Sequence, residues 1–378
     1  MFSEIFKIIA CASVLGSFFF ATGNESHIRM YVTSDVKGET EPCGWKKKPA
    51  GGLARKCTVV KNSKAEGFST LVFDAGNLFF KKDRVDPGVS MDIAKENART
   101  IVSSFNHITC QAFSPGKKDF AAGVDFLKEL QASSDFDYIS CNIKGKDAQL
   151  LFEPYKIIDI ENLRLGIIGA SSSFVSDDVL IDDPYISIGN VLSEIRDDCD
   201  YVVLLFSSSS SDYKKLSDSD LELDLVVRGN TNRHSHDGGN NKFPIYTVGD
   251  RGKLIYQFDL KHNIKSSPLV DVAYFEKLMS NDSKRLNQLV MDTSQVDNEK
   301  INQYRENIQK YSEIINSVEN SLQFKKVTLN KFIQDDPFVL KIVDEAKLKA
   351  NSLGAPVFNP EGNTIKSLDG FPHNHWFF

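Results

Sequence analysis

No charge of one sign dominates this chain: 45 Lys and Arg stand against 51 Asp and Glu over 378 residues, a net charge of −6. That balance gives no global attraction to nucleic acid or to an anionic membrane, so no nucleic-acid partner is expected. Cysteine is scarce, six in all, and no Cys-x-x-Cys-His occurs, which excludes a disulfide framework and covalent c-type haem. The apolar run Ile8 to Phe20 is too short to span a bilayer comfortably. What remains is 41% hydrophobic and 25% charged, an ordinary composition for one large soluble domain with an appendage.

Lys7, the run Ile8 to Phe20 and the small residues Ala21-Thr22-Gly23 read as a cleaved export signal over residues 1–23. An uncleaved anchor, or a lipoprotein using Cys11, is the alternative. Either way the mature chain is expected outside the cytoplasm, in the periplasm. Cys110 and Cys141 sit in apolar runs and read as buried free thiols. Cys43 and Cys57 flank a Gly- and Lys-rich stretch where a bridge is possible.

From residue 24 to 272, short apolar runs rich in β-formers alternate with helical patterns, which argues an α/β domain. Ten strands are expected near residues 28–33, 70–73, 108–113, 136–142, 155–160, 165–168, 201–206, 223–227, 245–248 and 254–260. Helices fit 89–105, 121–131 and 188–196. The serine run Ser207 to Ser211 reads as a polar loop. Over residues 273–351 the texture becomes helical, and Ile301, Tyr304, Ile308, Tyr311, Ile315, Val318 and Leu322 form an a/d seam. That seam suggests a hairpin with a second helix from Pro337, packing of that helix on the main domain, or self-association with a second copy or a partner helix through 301–322. Residues 352–378 read as an irregular tail.

Four junctions share a pattern in which an apolar strand ends in small and polar residues with Gly: Thr33 to Gly38, Phe73 to Asn77, Ser114 to Phe120, and Val227 to Asn232. Together with Gly51-Gly52-Leu53-Ala54-Arg55 and the strand-turn-strand Tyr155 to Gly169, they resemble the calcineurin-like metallophosphoesterases, and within them the UshA-like 5′-nucleotidases. The resemblance covers about residues 28 to 260. It implies a four-layer αββα sandwich, here followed by a helical C-terminal extension, with a binuclear metal centre at one edge that hydrolyses phosphate esters.

The motif positions depart from that family's chemistry. Asp-x-His is Asp35 with Lys37, and the metal-bridging Asp is Asn77. Gly-Asn-His-Asp/Glu is Gly116-Lys117-Lys118-Asp119, and Gly-His-Thr-His is Gly229-Asn230-Thr231-Asn232. A protonated ammonium has no lone pair to give a metal. The reading is therefore a degenerate site in which Lys37, Lys117 and Lys118 hold a small anionic ligand and Asp35 acts as an ion-pair partner. Surface lysines neutralised by Asp35 and Asp119 are the blander alternative. The rival is a manganese- or zinc-dependent phosphohydrolase using Asp35, Asp74, Asn77, Asp119, His234 and His236.

The stretch Glu41-Pro42-Cys43-Gly44-Trp45 further resembles a branch of UshA-like (seleno)proteins with Cys-Gly followed by cysteine or selenocysteine. That resemblance implies a redox role for Cys43, with Cys57 as partner. Trp45 would stand where UGA was read as tryptophan, and a UGG codon at that position would end this reading.

Overall fold

The computed structural model describes residues 26–44, 49–236, 238–239, 242–249, 251–263, 267–291 and 297–354. In chain order the strands are β1 (Ser26–Thr33), β2 (Pro42–Cys43), β3 (Ala50–Gly51), β4 (Ser69–Asp74), β5 (Ala112–Phe113), β6 (Asp137–Tyr138), β7 (Ile143–Lys144) and β8 (Tyr155–Ile160), then β9 (Leu163–Ser171), β10 (Leu180–Ile181), β11 (Tyr201–Ser207), β12 (Leu225–Gly229), β13 (Ile245–Thr247), β14 (Leu254–His262), β15 (Leu269–Asp271) and β16 (Asn320–Thr328). The helices are α1 (Leu53–Ala65), α2 (Val89–His107), α3 (Val124–Ala132), α4 (Pro184–Ile195), α5 (Ser210–Asp218), α6 (Val272–Met291), α7 (Asn298–Ser317) and α8 (Pro337–Leu353).

A strand buried on both faces must be apolar at every position, and Tyr201-Val202-Val203-Leu204-Leu205-Phe206 is such a run. Its alternate side chains serve two cores. Tyr201, Val203 and Leu205 join Ile28, Met30, Val32, Leu71 and Phe258 between two sheets. Val202, Leu204 and Phe206 pack outward with Ile188, Leu192 and Leu216 from α4 and α5. A third cluster lies on the outer face of the other sheet, where Tyr31, Val72 and Ile255 meet Val60, Ile101, Leu127 and Val339 from α1, α2, α3 and α8. Three apolar layers between four layers of structure make the αββα sandwich.

The first sheet runs β15-β16-β14-β1-β4-β5-β6 and the second β13-β12-β11-β9-β8. Strands β1, β4, β5 and β6 are mutually parallel, as are β9, β11, β12 and β13. Their carboxyl ends share one edge, where ligand sites of α/β folds gather. The two sheets come very close there. A methyl group at Gly229, ending β12, would lie 2.5 Å from the Ala75 carbonyl oxygen and 2.8 Å from Ser34 Oγ of the other sheet.

The helical texture after residue 272 conceals a strand. The run expected as one helix to Leu322 stops at Ser317, and Asn320–Thr328 instead inserts between β14 and β15, pairing antiparallel and parallel respectively. Leu322, the last member of the a/d seam, is fully buried in the inter-sheet core. The rest of α7 packs on α6, with Tyr311 against Phe275 at 6.3 Å, while α8 docks on α1 and α2. The serine run also differs from a plain loop: Ser207 ends β11, and Ser209 caps α5 by accepting from the Asp212 amide. The strand expected over 108–113 shrinks to two residues because α2 continues to His107.

None of the five described cysteines is in a disulfide, so the possible Cys43–Cys57 bridge is absent. Cys57 is fully buried in α1. Burial, helped by the Asp336 carboxylate, pushes its thiol up to about 12, which makes it a poor nucleophile. The segments read as signal and tail lie outside the described residues, except residues 352–354 at the end of α8. No described helix is long and apolar enough to cross a membrane.

Gly229→Ala is expected to destabilise the chain by about 1–3 kcal/mol, because backbone of one sheet blocks the new methyl of the other. Urea unfolding monitored by circular dichroism measures it.

Candidate functional site

Three of the parallel strands, β1, β4 and β12, release the chain at the shared edge through bends that L-residues seldom adopt. Asp35, Lys37, Asn77 and Asn230 have φ of 53°, 58°, 55° and 62°, four of the eight described non-glycine residues with positive φ. Such conformations persist only where surrounding structure enforces them, and they concentrate at functional sites. Backbone bonds between the loops do the enforcing: the Asp35, Lys37 and Gly38 amides donate to the Gly76, Asn77 and Leu78 carbonyls at 2.8, 2.9 and 3.0 Å.

Asp35 is fully buried at the centre. Its Oδ1 accepts from Asn77 Nδ2 at 3.1 Å and faces Lys37 Nζ at 3.3 Å. Its Oδ2 accepts from the Thr231 amide at 3.0 Å and from Ser34 Oγ at 3.1 Å. Lys37 Nζ also donates to Asn232 Oδ1 at 2.9 Å. Asn77 Nδ2 reaches Asn230 Oδ1 at 3.3 Å, and Asn77 Oδ1 accepts from the Lys118 amide at 3.1 Å. Asp35, Lys37, Asn77, Asn230 and Asn232 thus form one bonded cluster.

The other carboxylates serve the backbone. Asp119 accepts from the amides of Asn77 and Gly116 at 2.8 Å and of Phe79 at 2.9 Å, pinning two loops together. Burial raises its pKa to about 6 against the pull of those donors. Asp74 accepts from the Gly76 amide and from Thr33 Oγ1, and Thr33 Oγ1 in turn accepts from the fully desolvated Lys56 ammonium at 2.8 Å. Burial pushes both members of this pair toward their neutral forms, Asp74 upward and Lys56 downward.

The three lysines separate. Lys37 is inside the cluster. Lys117 is exposed and pairs with Asp83 at 2.7 Å. Lys118 is half-buried, its ammonium makes no hydrogen bond or close ion pair with a described residue, and its pKa is lowered by burial and then by the neighbouring Lys37 charge. Arg228, missed in the sequence, adds a cation: it is 7% exposed, donates through Nε to Ser208 Oγ at 2.7 Å and lies 4.6 Å over the Tyr213 ring. Its signal was an arginine ending an otherwise apolar strand. Ser34, another omission, is a buried hydroxyl that looked like turn filler.

Lys37 also lines a cavity of about 760 Å³ with Lys81, Lys82, Arg84, Arg251 and Lys347. Six basic side chains face three acidic ones, Glu39, Glu41 and Asp86, and two of those acids are already paired with Arg251 and Lys347.

This donor set does not fit two divalent ions. Every oxygen of Asp35 is engaged, a lysine ammonium stands between Asp35 and Asn232, and Asn77 presents donors where a bridging ligand must accept. His234 and His236 stack edge to face at 5.4 Å, with His236 Nδ1 3.3 Å from Lys326 on β16. They complete no group of three metal-ligand atoms with Asp35, Asp74 or Asp119 among the described residues. Trp45 lies outside the described residues, so Cys43 is the only described member of the Cys-Gly-Trp motif's reactive pair.

Comparison with known proteins accords with the sandwich. The snake venom 5′-nucleotidase of Naja atra is 23% identical over 374 residues, covering 93% of this chain and 60% of that protein. A 5′-nucleotidase precursor from Thermus thermophilus superposes with a TM-score of 0.61 at 16% identity, over 88% of this chain and 60% of that one. The calcineurin-like phosphoesterase YfkN from Bacillus subtilis gives 0.62 at 13% identity, over 88% of this chain and all of that one. The fold is that of the calcineurin-like phosphoesterases, and the chain is similar to 5′-nucleotidases of the UshA/calcineurin-like superfamily. The chain spans about three fifths of the length of the first of these relatives. A model of the YgzA protein family matches residues 305–350, from α7 through β16 into α8.

Asp119→Ala strips three buried amides of their acceptor and is expected to lower stability by at least about 3 kcal/mol in urea unfolding. Asp119→Asn, which keeps one acceptor oxygen, is expected to lose less.

Proposed function

We propose that this metallophosphoesterase-type chain is exported and binds a small phosphate-bearing anion without hydrolysing it. The observation that carries the reading is the Lys37 ammonium, held by Asp35 and Asn232 where the resembled family would place a metal. A cation tethered to the backbone neutralises Asp35 but offers no water to activate and no open position for one. The charge left over around it, Lys118, Arg228 and the Lys81, Lys82 and Arg84 side of the cavity, suits a phosphate. A cavity of about 760 Å³ has the size of a small-molecule site.

Export rests on the amino-terminal pattern and on the company of venom nucleotidases. The hydrolytic reading has less support, because Asp74, Asp119 and the histidine pair are committed elsewhere. A redox-accessory role has less still, with Cys57 deep in α1.

Calorimetric titration of the full chain with inorganic phosphate and AMP is expected to show saturable binding. Lys118→Gln should weaken it about tenfold or more, the value of one charge-assisted hydrogen bond. No phosphate should be released from AMP with added manganese or zinc. Metal-dependent release above background, or binding indifferent to Lys118→Gln, would overturn the reading.

A pH series checks the electrostatics. Because the Lys118 pKa is lowered, its charge is complete at low pH and is lost at lower pH than for an exposed lysine. Affinity for sulfate, whose own charge stays constant, is expected to fall as pH rises from about 7 toward about 10, and Lys118→Gln should flatten that fall.

A further inference from the structure

Away from the strand edge, on the outer helical layer, Cys57 of α1, His107 at the end of α2 and Asp336 at the start of α8 converge. One ligand atom from each lies within 4.8 Å of the other two. Cys57 is fully buried and Asp336 is 5% exposed. The His107 ring stacks on Phe338 at 4.2 Å, which fixes its plane. Its Nε2 is buried without a hydrogen-bond partner, 3.6 Å from Asp336 Oδ1. A buried imidazole nitrogen left unsatisfied calls for a ligand or another explanation.

The carboxylate is held in place by its role as helix cap: Oδ1 accepts from the Phe338 and Val339 amides at 3.1 and 3.0 Å. Oδ2 pairs with Lys61 Nζ at 2.7 Å, and that lysine side chain is 47% exposed and free to swing into water. Thiolate, imidazole and carboxylate from three separate elements make a three-protein-ligand set of the kind zinc accepts, with a fourth position for water. The partial exposure of His107, 25%, leaves water a way in.

We propose that Cys57, His107 and Asp336 bind one divalent ion of zinc character, which ties α8 to α1 and α2. Binding expels the thiol proton and moves the Lys61 ammonium off Asp336 into solvent. The site shares no residue with the Lys37 cluster, so it stands whatever that cluster binds.

Cobalt titration of the full chain, purified through a chelator, tests it. The expected result is one equivalent bound with thiolate-to-cobalt charge-transfer absorption, displaced by zinc, and a zinc-dependent rise in Tm. Cys57→Ser and His107→Gln should each weaken binding by more than about 100-fold, beyond the loss caused by removing a mere supporting partner. Lys61→Gln, a surface change that leaves the fold intact, should tighten binding about threefold to fivefold by removing the competing ion pair. Absence of the absorption in the wild-type chain, its persistence in Cys57→Ser, or an unchanged affinity in Lys61→Gln would overturn the site.

Discussion

One ammonium organises the strand edge. Lys37 brings a single positive charge, attached through its own backbone, to a carboxylate that is wholly desolvated, and the surrounding amides complete the neutralisation. A buried carboxylate without a counter-charge would be too costly to ionise. The neighbouring replacements are compatible with this arrangement. A second carboxylate at position 77 would have pressed negative charge against Asp35, whereas Asn77 donates to it and to Asn230 Oδ1, and Asn232 supplies an acceptor that Lys37 uses.

The loops keep demanding backbone shapes although the side-chain chemistry has changed. Four left-handed residues, three amides gathered by Asp119 and ladder bonds between the first two loops hold the edge in one geometry. Preorganisation of this kind lets a site bind without first ordering itself. Positive charge also collects there, and burial and then the neighbouring Lys37 charge lower the pKa of Lys118.

Much of this was legible in the sequence. A two-faced strand such as 201–206 announces itself as an unbroken apolar run, and four strand-end junctions were enough to place the edge. The strand at 320–328 was not legible, because Lys325, Lys326 and Gln323 give it the polar texture of the preceding helix and the heptad spacing happened to continue to Leu322. The helix at 53–65 was hidden by glycines before it and lysines within it, and its buried face shows only when α8 covers it. Arg228 and Ser34 could be found only by the partners that distant loops bring to them. The convergence of Cys57, His107 and Asp336 spans nearly 280 positions and has no local trace at all.

The order of the first sheet also bears on how the chain acquires its shape. β1 lies between β4, which follows it closely, and β14, which begins more than 200 residues later, and β14 is itself covered by β16. During synthesis from the amino terminus, β1 and β4 can pair early, but one side of β1 then keeps its peptide groups unmatched until the chain has reached His262. Pairing across such separations is slow, and an open strand edge invites association with other chains in the interval. The half-made molecule is thus the form most in need of shelter, and any truncation before β14 would leave that need permanent.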